Sequence, residues 1–289
     1  MKKILVTGGD GQLGRSIKQR VKDKPLVNYS FVFTDIQELD VLDEMFVKTY
    51  FFSNKFDYVI NCAAYTAVDK AESDIEMAER LNADSVKYLA KASAFQKATF
   101  IHISTDYVFS GEESVPRKED DPVAPLGVYG KTKLNGELIA QYYNSKTYII
   151  RTSWLYSPYG NNFVKTMLKL FKEKEEINVI NDQIGSPTNA LDLADALLTI
   201  IQNDIGAYGI YNFSNEGECT WYQFSEEIKK ISKSNIKINP ISTSDYPTPA
   251  KRPEYSLLDK TKIKTTFGIL IPEWKDSLKE MFANCAYII

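Results

Sequence analysis

KILVTGGDGQLGRSI, residues 3–17, decides the fold: an apolar run, Ile4-Leu5-Val6, enters a turn containing four glycines and leaves it in a polar stretch with helical spacing. The glycines satisfy GxGxxG counted from Gly9 and GxxGxxG counted from Gly8. Each has a task in holding a dinucleotide: a turn without a Cβ, close approach of the main chain to a pyrophosphate, and tight helix-to-strand packing. The phosphates would then lie on the free N–H groups that open the helix. A second apolar run spans 30–34, and Asp35, just past it, follows Gly14 by 21 residues. That order of strand, glycine turn, helix, strand and acid predicts a nucleotide-binding unit.

Outward from this start, strand-like runs at 3–7, 30–34, 57–61, 98–104 and 146–151 alternate with amphipathic stretches. One such stretch runs from Ile75 to Phe95, where Leu81, Ala83, Val86, Leu89 and Ala90 recur at helical spacing. The alternation predicts an α/β fold, a Rossmann-like doubly wound parallel sheet over residues 1–153. After Arg151 the texture changes to the polar loop Ser157-Pro158-Tyr159-Gly160-Asn161-Asn162 and a charged helix from Phe163 to about Glu176. Further helices are predicted at 191–203 and 221–233 and a strand at 210–214, while prolines 240, 247, 249 and 253 predict a mostly looped segment. Residues 154–289 thus read as a smaller mixed α/β substrate-binding domain, with some segments returning to the first sheet.

Composition narrows the partners. The chain has 289 residues, 44% hydrophobic and 25% charged, with a net charge of −3, so nothing attracts polyanions and nucleic acid is not expected. Neither a leader nor an apolar run of about 18 residues is visible, which predicts a cytoplasmic protein with no membrane partner. Cys62, Cys219 and Cys285 are far apart and form no CxxC pair, so neither a disulfide framework nor a zinc site is expected. The single histidine, His102, lies inside an apolar run and reads as a side chain packed on a buried strand.

The chemistry falls to other groups. Tyr129 and Lys133 are one helical turn apart in Tyr129-Gly-Lys-Thr-Lys133. A tyrosine with a pKa of about 10 exchanges protons poorly at neutral pH unless a nearby cation favours its phenolate, a part that suits Lys133. Ser104 and Thr105 end the fourth predicted strand, and a hydroxyl there can reach the same carbonyl oxygen that Tyr129 would protonate.

These residues carry a resemblance. The Gly8 to Gly14 loop, Asn61-Cys62-Ala63-Ala64, Asn82, Thr105, and Tyr129 with Lys133 resemble the extended short-chain dehydrogenase/reductases. More narrowly, the chain resembles the dTDP-4-dehydrorhamnose reductase family along nearly its whole length. The segments are Gly11 to Gly14, Glu38 to Val41, Ala63 to Glu72, Ser104 to Phe109, Val128 to Gly130, Arg151 to Tyr156, Gly160 to Phe163, Asn181 to Thr188, Arg252-Pro253 with Ser256, and Trp274.

The resemblance implies reduction of the 4-keto group of dTDP-4-dehydro-L-rhamnose by NADPH or NADH, with Thr105, Tyr129 and Lys133 catalytic. It implies cofactor contacts by Gly8, Gly11, Gln12 and Leu13 at the pyrophosphate, Asp40 and Val41 at the adenine, and Ala63, Ala64 and Tyr65 further along. Asn82 would support a proton relay, and Lys133 would also hold the nicotinamide ribose. Asp35 suits the ribose hydroxyls of NAD and opposes the 2′-phosphate of NADP. Sugar contacts map onto Val68, Thr105, Asp106, Tyr107, Trp154 and Asn162. Arg252 reads either as a diphosphate ligand or as a surface salt bridge, and Trp154 either as a sugar platform or as a core aromatic.

One departure stands out. Some relatives bridge two subunits through glutamate-bound Mg²⁺, but this chain has Arg15-Ser16 and Leu191 at those places. A monomer or homodimer without a metal-bridged interface is therefore expected, and no metal. Rival readings are a sugar-nucleotide epimerase, a reductase making another 6-deoxysugar, and a non-catalytic cofactor-binding regulatory subunit. A dehydratase would need a glutamate after Asp106, where Tyr107 stands.

Overall fold

A computed structural model describes residues 1–284. In chain order the elements are β1 (Lys2–Thr7), α1 (Gln12–Asp23), β2 (Tyr29–Thr34), α2 (Glu44–Ser53), β3 (Tyr58–Asn61), α3 (Val68–Ala71), α4 (Ile75–Glu79), a π turn (Arg80–Asp84), α5 (Ser85–Phe95), β4 (Thr99–Thr105), α6 (Val128–Tyr143) and β5 (Thr147–Thr152). The second half continues with β6 (Leu155–Tyr156), α7 (Phe163–Glu173), β7 (Glu176–Ile180), β8 (Ile184–Gly185), β9 (Thr188–Asn189), α8 (Ala190–Gln202), β10 (Gly209–Phe213), β11 (Cys219–Thr220), α9 (Trp221–Ser232), β12 (Lys237–Ile241), α10 (Thr261–Phe267) and α11 (Trp274–Asn284).

Six strands form one parallel sheet in the order β10-β5-β4-β3-β1-β2. The alternation of side chains along β1 shows why both faces need cover. Ile4 and Val6 join a cluster with Leu13 and Ile17 of α1, Leu193 and Leu197 of α8, and Ile263 of α10. Leu5 faces the other way, into a cluster with Val47 of α2, Leu89 of α5 and Ala140 of α6. Helices therefore sandwich the sheet, the doubly wound arrangement expected. The chain's progress across the sheet reverses between β1 and β3, which opens a crevice at the carboxyl ends of these strands.

The second half returns one strand, β10, to the edge of this sheet, where Gly209 to Phe213 pair with Tyr148 to Thr152 of β5. Most of the rest packs around a separate apolar cluster that includes Tyr156, Met167, Phe224, Ile238, Trp274 and Leu278.

The structure corrects the sequence reading in three places. The stretch 75–95 is not one helix: the π turn at Arg80–Asp84 divides it. The widened turn seats the Asn82 carbonyl against Gly136 of α6, where a Cβ would find no room. A single inserted residue leaves the apolar spacing nearly unchanged, so periodicity does not reveal it. The helix expected to reach Glu176 ends at Glu173, and Glu176–Ile180 pairs in parallel with Lys237–Ile241. The second of these strands contains Pro240, within the segment expected to be mostly loop. Among the described residues β12 pairs with β7 alone, so its other edge is open and a residue without an N–H is tolerated. Cys285 lies outside the described residues; Cys62 and Cys219 are free thiols.

Candidate active site

The crevice deepens into a cavity of about 590 Å³ bounded by both halves of the chain. Its floor is the glycine turn. Gly8 has φ +64°, and a Cβ there would lie 2.7 Å from the Ala63 nitrogen. Gly14 lets α1 start directly against the Gly8 and Gly9 backbone, which a side chain would displace. No side chain caps α1 at Gly11, so the first turn offers backbone donors to an anion. Gly8, Gly11, Gln12 and Leu13 all line the cavity. A cradle of this kind fits a dinucleotide pyrophosphate.

The wall contributed by the main sheet carries the hydroxyl, phenol and amine that the sequence singles out. Thr105 ends β4, while Tyr129 and Lys133 stand on the first turns of α6, and all three line the cavity. Glu72 fixes the start of α6 by accepting the Val128 N–H at 2.8 Å. Burial pushes the Tyr129 phenol up to about 12, against the opposing hydrogen bond with Thr105. Burial also lowers Lys133 to about 8, although the Glu137 carboxylate one turn on favours its charge. The Lys133 ammonium donates to the Ile103 carbonyl at 2.6 Å, so here it anchors to β4 rather than stabilising a Tyr129 phenolate. Behind this wall, Arg151 of β5 pairs with Glu137 at 2.9 and 2.7 Å, and Ser104 donates to the same carboxylate at 2.5 Å.

The facing wall is aromatic. Trp154 adopts φ +46°, a left-handed conformation that is strained for a bulky residue. Its ring stacks on Trp221 with centroids 3.5 Å apart and planes at 10°, and both rings border the cavity. Gly185 lies behind Trp154, where a Cβ would come within 2.7 Å of the indole. Trp154 is thus neither a buried core residue nor an isolated platform but half of a stacked pair. Asn162 caps α7 through its carbonyl oxygen and donates to the Gln12 side chain at 2.9 Å; Ser157 donates to the same Gln12 oxygen at 3.0 Å. The glycine turn and the 157–162 loop are tied together across the cleft.

Val68, Ala64, Asp106 and Tyr107 also border the cavity. Seven other predicted residues do not line it. Arg252 donates to both oxygens of Asp69, at 3.0 and 2.8 Å, and to Thr248, a geometry that favours its salt-bridge reading. Asn82 is fully buried and clasps the Tyr65 backbone through both its amide groups, also donating to Thr132 at 3.0 Å; it shapes the Tyr65 loop from behind. Ala63 donates to Asn61, and Tyr65 sends its hydroxyl to Asp74. Asp35 accepts the Asp10 N–H at 3.0 Å, bracing the glycine turn from the end of β2. Asp40 turns back to the Leu42 N–H, and Val41 is buried in the core layer.

Sequence reasoning did not find Thr66, Ser153, Gly160, Asn161 or Trp221, which share the cavity wall. Trp221 carried the one usable signal: a large aromatic directly after Thr220, whose side chain caps α9. His102 is buried on β4 and faces Asn61 at 3.2 Å. Among the described residues no group of three or more His, Cys, Asp or Glu side chains could hold a metal ion.

Comparison with known proteins places this geometry. A family model described as the RmlD substrate binding domain matches residues 1–287. A curated Aggregatibacter actinomycetemcomitans protein named dTDP-4-dehydrorhamnose reductase is 42% identical, over 98% of this chain and 99% of its own. A solved structure of a dTDP-4-dehydrorhamnose reductase from Clostridium acetobutylicum is 44% identical, covers 98% of this chain and 99% of that one, and superposes with a TM-score of 0.94. A dTDP-4-dehydrorhamnose reductase from Bacillus anthracis, solved in complex with NADP, is 36% identical, covers 98% and 100%, and also gives 0.94.

Proposed function

The chain belongs to the RmlD substrate binding domain family, and on that premise we propose that it is an NAD(P)H-dependent oxidoreductase that reduces the 4-keto group of dTDP-4-dehydro-L-rhamnose to dTDP-L-rhamnose. One observation carries the reading: a hydroxyl, a phenol and an ammonium, from Thr105, Tyr129 and Lys133, share a single cavity with the glycine turn.

The glycine turn and the open first turn of α1 would hold the pyrophosphate of a nicotinamide dinucleotide, which when bound supplies a hydride. Thr105 orients the sugar carbonyl by donating to its oxygen. Tyr129, held protonated at neutral pH by burial, gives that oxygen the proton that completes the alcohol; even a phenol near 12 is a better acid than the alcohol it creates. Lys133, buried on the same face of α6 and anchored to the Ile103 carbonyl, would hold the nicotinamide ribose and keep a positive charge beside the phenol as it gives up its proton. Trp154 and Trp221 offer the sugar-nucleotide a flat apolar surface and exclude water. Residues 1–153 hold the dinucleotide in this reading, and residues 154–289 mainly the sugar-nucleotide.

Either NADPH or NADH serves as reductant, with Asp35 the residue that would disfavour a 2′-phosphate. No described helix is long and apolar enough to cross a membrane, and the enzyme works in the cytoplasm as a monomer or homodimer without a metal bridge. The test is to incubate the protein with dTDP-4-dehydro-6-deoxyglucose, a 3,5-epimerase and either reduced coenzyme, and to identify the sugar by NMR. Stoichiometric coenzyme oxidation with formation of dTDP-rhamnose is expected. An epimerase would give no net oxidation, a regulatory subunit no reaction, and either result overturns the proposal.

A further inference from the structure

Asp106 sits in an incomplete hydrogen-bond arrangement at the heart of the cavity. The residue is 2% exposed and borders the cavity wall. Its Oδ1 accepts the Thr105 hydroxyl at 2.9 Å, whereas its Oδ2 is buried with no hydrogen-bond partner. Thr105 Oγ1 meanwhile accepts the Tyr107 N–H at 3.2 Å.

A threonine hydroxyl has one proton and two acceptor sites. With Asp106 ionised, that proton is committed to the carboxylate, and Thr105 has none for a carbonyl oxygen in the cavity. With Asp106 neutral, the carboxylic acid O–H donates to Thr105 Oγ1. The hydroxyl then accepts from Tyr107 and Asp106 together, and its own proton turns to the Tyr129 side, where the substrate carbonyl would lie.

We propose that Asp106 is a positioning residue whose proton decides whether Thr105 donates to the sugar carbonyl or is held away from it. The proposal rests on the keto-sugar reduction above and adds a group that controls it through Thr105.

The surroundings favour the neutral form. Tyr107 from the same turn, Tyr129 from α6 and Ser256 from the second half stand around the carboxyl. Lys133 of α6 is engaged instead with Glu137 and Cys62, and the Arg252–Asp69 pair bears on Tyr107. Burial accordingly pushes the Asp106 carboxyl up to about 7, against the opposing hydrogen bond from Thr105 and the nearby Ser256 hydroxyl, which is turned to the Ile184 carbonyl at 3.4 Å.

The test has two arms on the full-length protein. In the first, the pH profile of kcat/KM for the keto-sugar is compared between wild type and Asp106→Asn, whose amide donates to Thr105 at every pH. The wild-type rate should begin to fall near neutrality. In the variant the rate near pH 8 relative to that near pH 6 should rise by roughly tenfold over the wild-type ratio, the factor by which the neutral form of an acid of pKa about 7 declines between those two pH values. An unchanged profile overturns the proposal.

The second arm needs neither turnover nor cofactor. Infrared difference spectra should show a protonated-carboxyl band that titrates near neutrality in wild type, and Thr105→Val should move its midpoint upward by removing the hydroxyl that favours the charged form. A missing band, or a midpoint unmoved by Thr105→Val, overturns the proposal even if Asp106→Asn does not fold. Wild type that oxidises no coenzyme while still showing the titration would instead defeat the proposed reaction.

Discussion

The two walls of the cleft are built by different means. The wall bearing Thr105, Tyr129 and Lys133 comes from β4 and the helix α6 packed on it, and is fastened by buried and half-buried polar bonds: Lys133 to Ile103, Glu72 to Val128, and Arg151 with Ser104 to Glu137. The wall bearing Trp154 and Trp221 belongs to a second apolar cluster and meets the first half through contacts such as the Gln12 side chain with Ser157 and Asn162. Proton transfer needs groups held to within fractions of an ångström, and the proposed reaction assigns it to the rigid wall. Recognition of a particular sugar-nucleotide needs only a shaped surface, which a separate core can reshape without disturbing the chemistry.

Four substitutions or treatments probe this division. The largest effect is expected from Tyr129→Phe, which removes the proton donor but little volume. Turnover should fall by about 10²–10⁴-fold, while cofactor affinity measured by titration stays near wild type; an equal loss in both would mean that Tyr129 shapes the wall rather than acting on the substrate. Next comes Glu137→Gln, which strands the Arg151 guanidinium in a site 1% exposed. Denaturant unfolding should show a loss of about 3–5 kcal/mol, the usual consequence of leaving one partner of a buried ion pair alone. A loss below about 1 kcal/mol would show that the rigid wall does not depend on this pair.

On the opposite wall, Trp221→Ala removes the ring stacked on Trp154. The KM for the sugar-nucleotide should rise by about tenfold, equivalent to roughly 1.4 kcal/mol and within the range of an aromatic pair. The turnover number should change far less, and a collapse in kcat with constant KM would erase the distinction between the walls. The smallest effect is expected from a chelator: EDTA should leave kcat and KM unchanged, because among the described residues no group of three or more His, Cys, Asp or Glu side chains could hold a metal ion. A clear loss of activity would assign a metal role to residues on neither wall.

The rigid wall was largely readable in advance. Strand ends predicted for β1 to β5 fall within a residue of those observed, because buried parallel strands leave apolar runs bounded by polar turns. Tyr129 and Lys133 are four residues apart on one helix, so their shared face follows from helical geometry. The recognition wall was less legible. Trp221 lies 67 positions from Trp154 and reaches it only through the packing of the second cluster. The short pairing of Glu176–Ile180 with Lys237–Ile241 joins segments 61 residues apart; the first directly follows a charged helical run and the second contains Pro240, so their alternation reads as helix end and loop.

The order of apolar runs, glycines and helix starts determined the doubly wound sheet, the glycine turn and the pairing of Tyr129 with Lys133 on one helix, because each depends on residues near one another in the chain. Tertiary structure alone decided what those groups face. It turned Arg252 onto Asp69, put Asn82 behind the Tyr65 loop, anchored Lys133 to the Ile103 carbonyl and left one Asp106 oxygen without a partner. Burial and hydrogen-bond partners come from distant segments meeting in space, and local spacing does not encode that meeting.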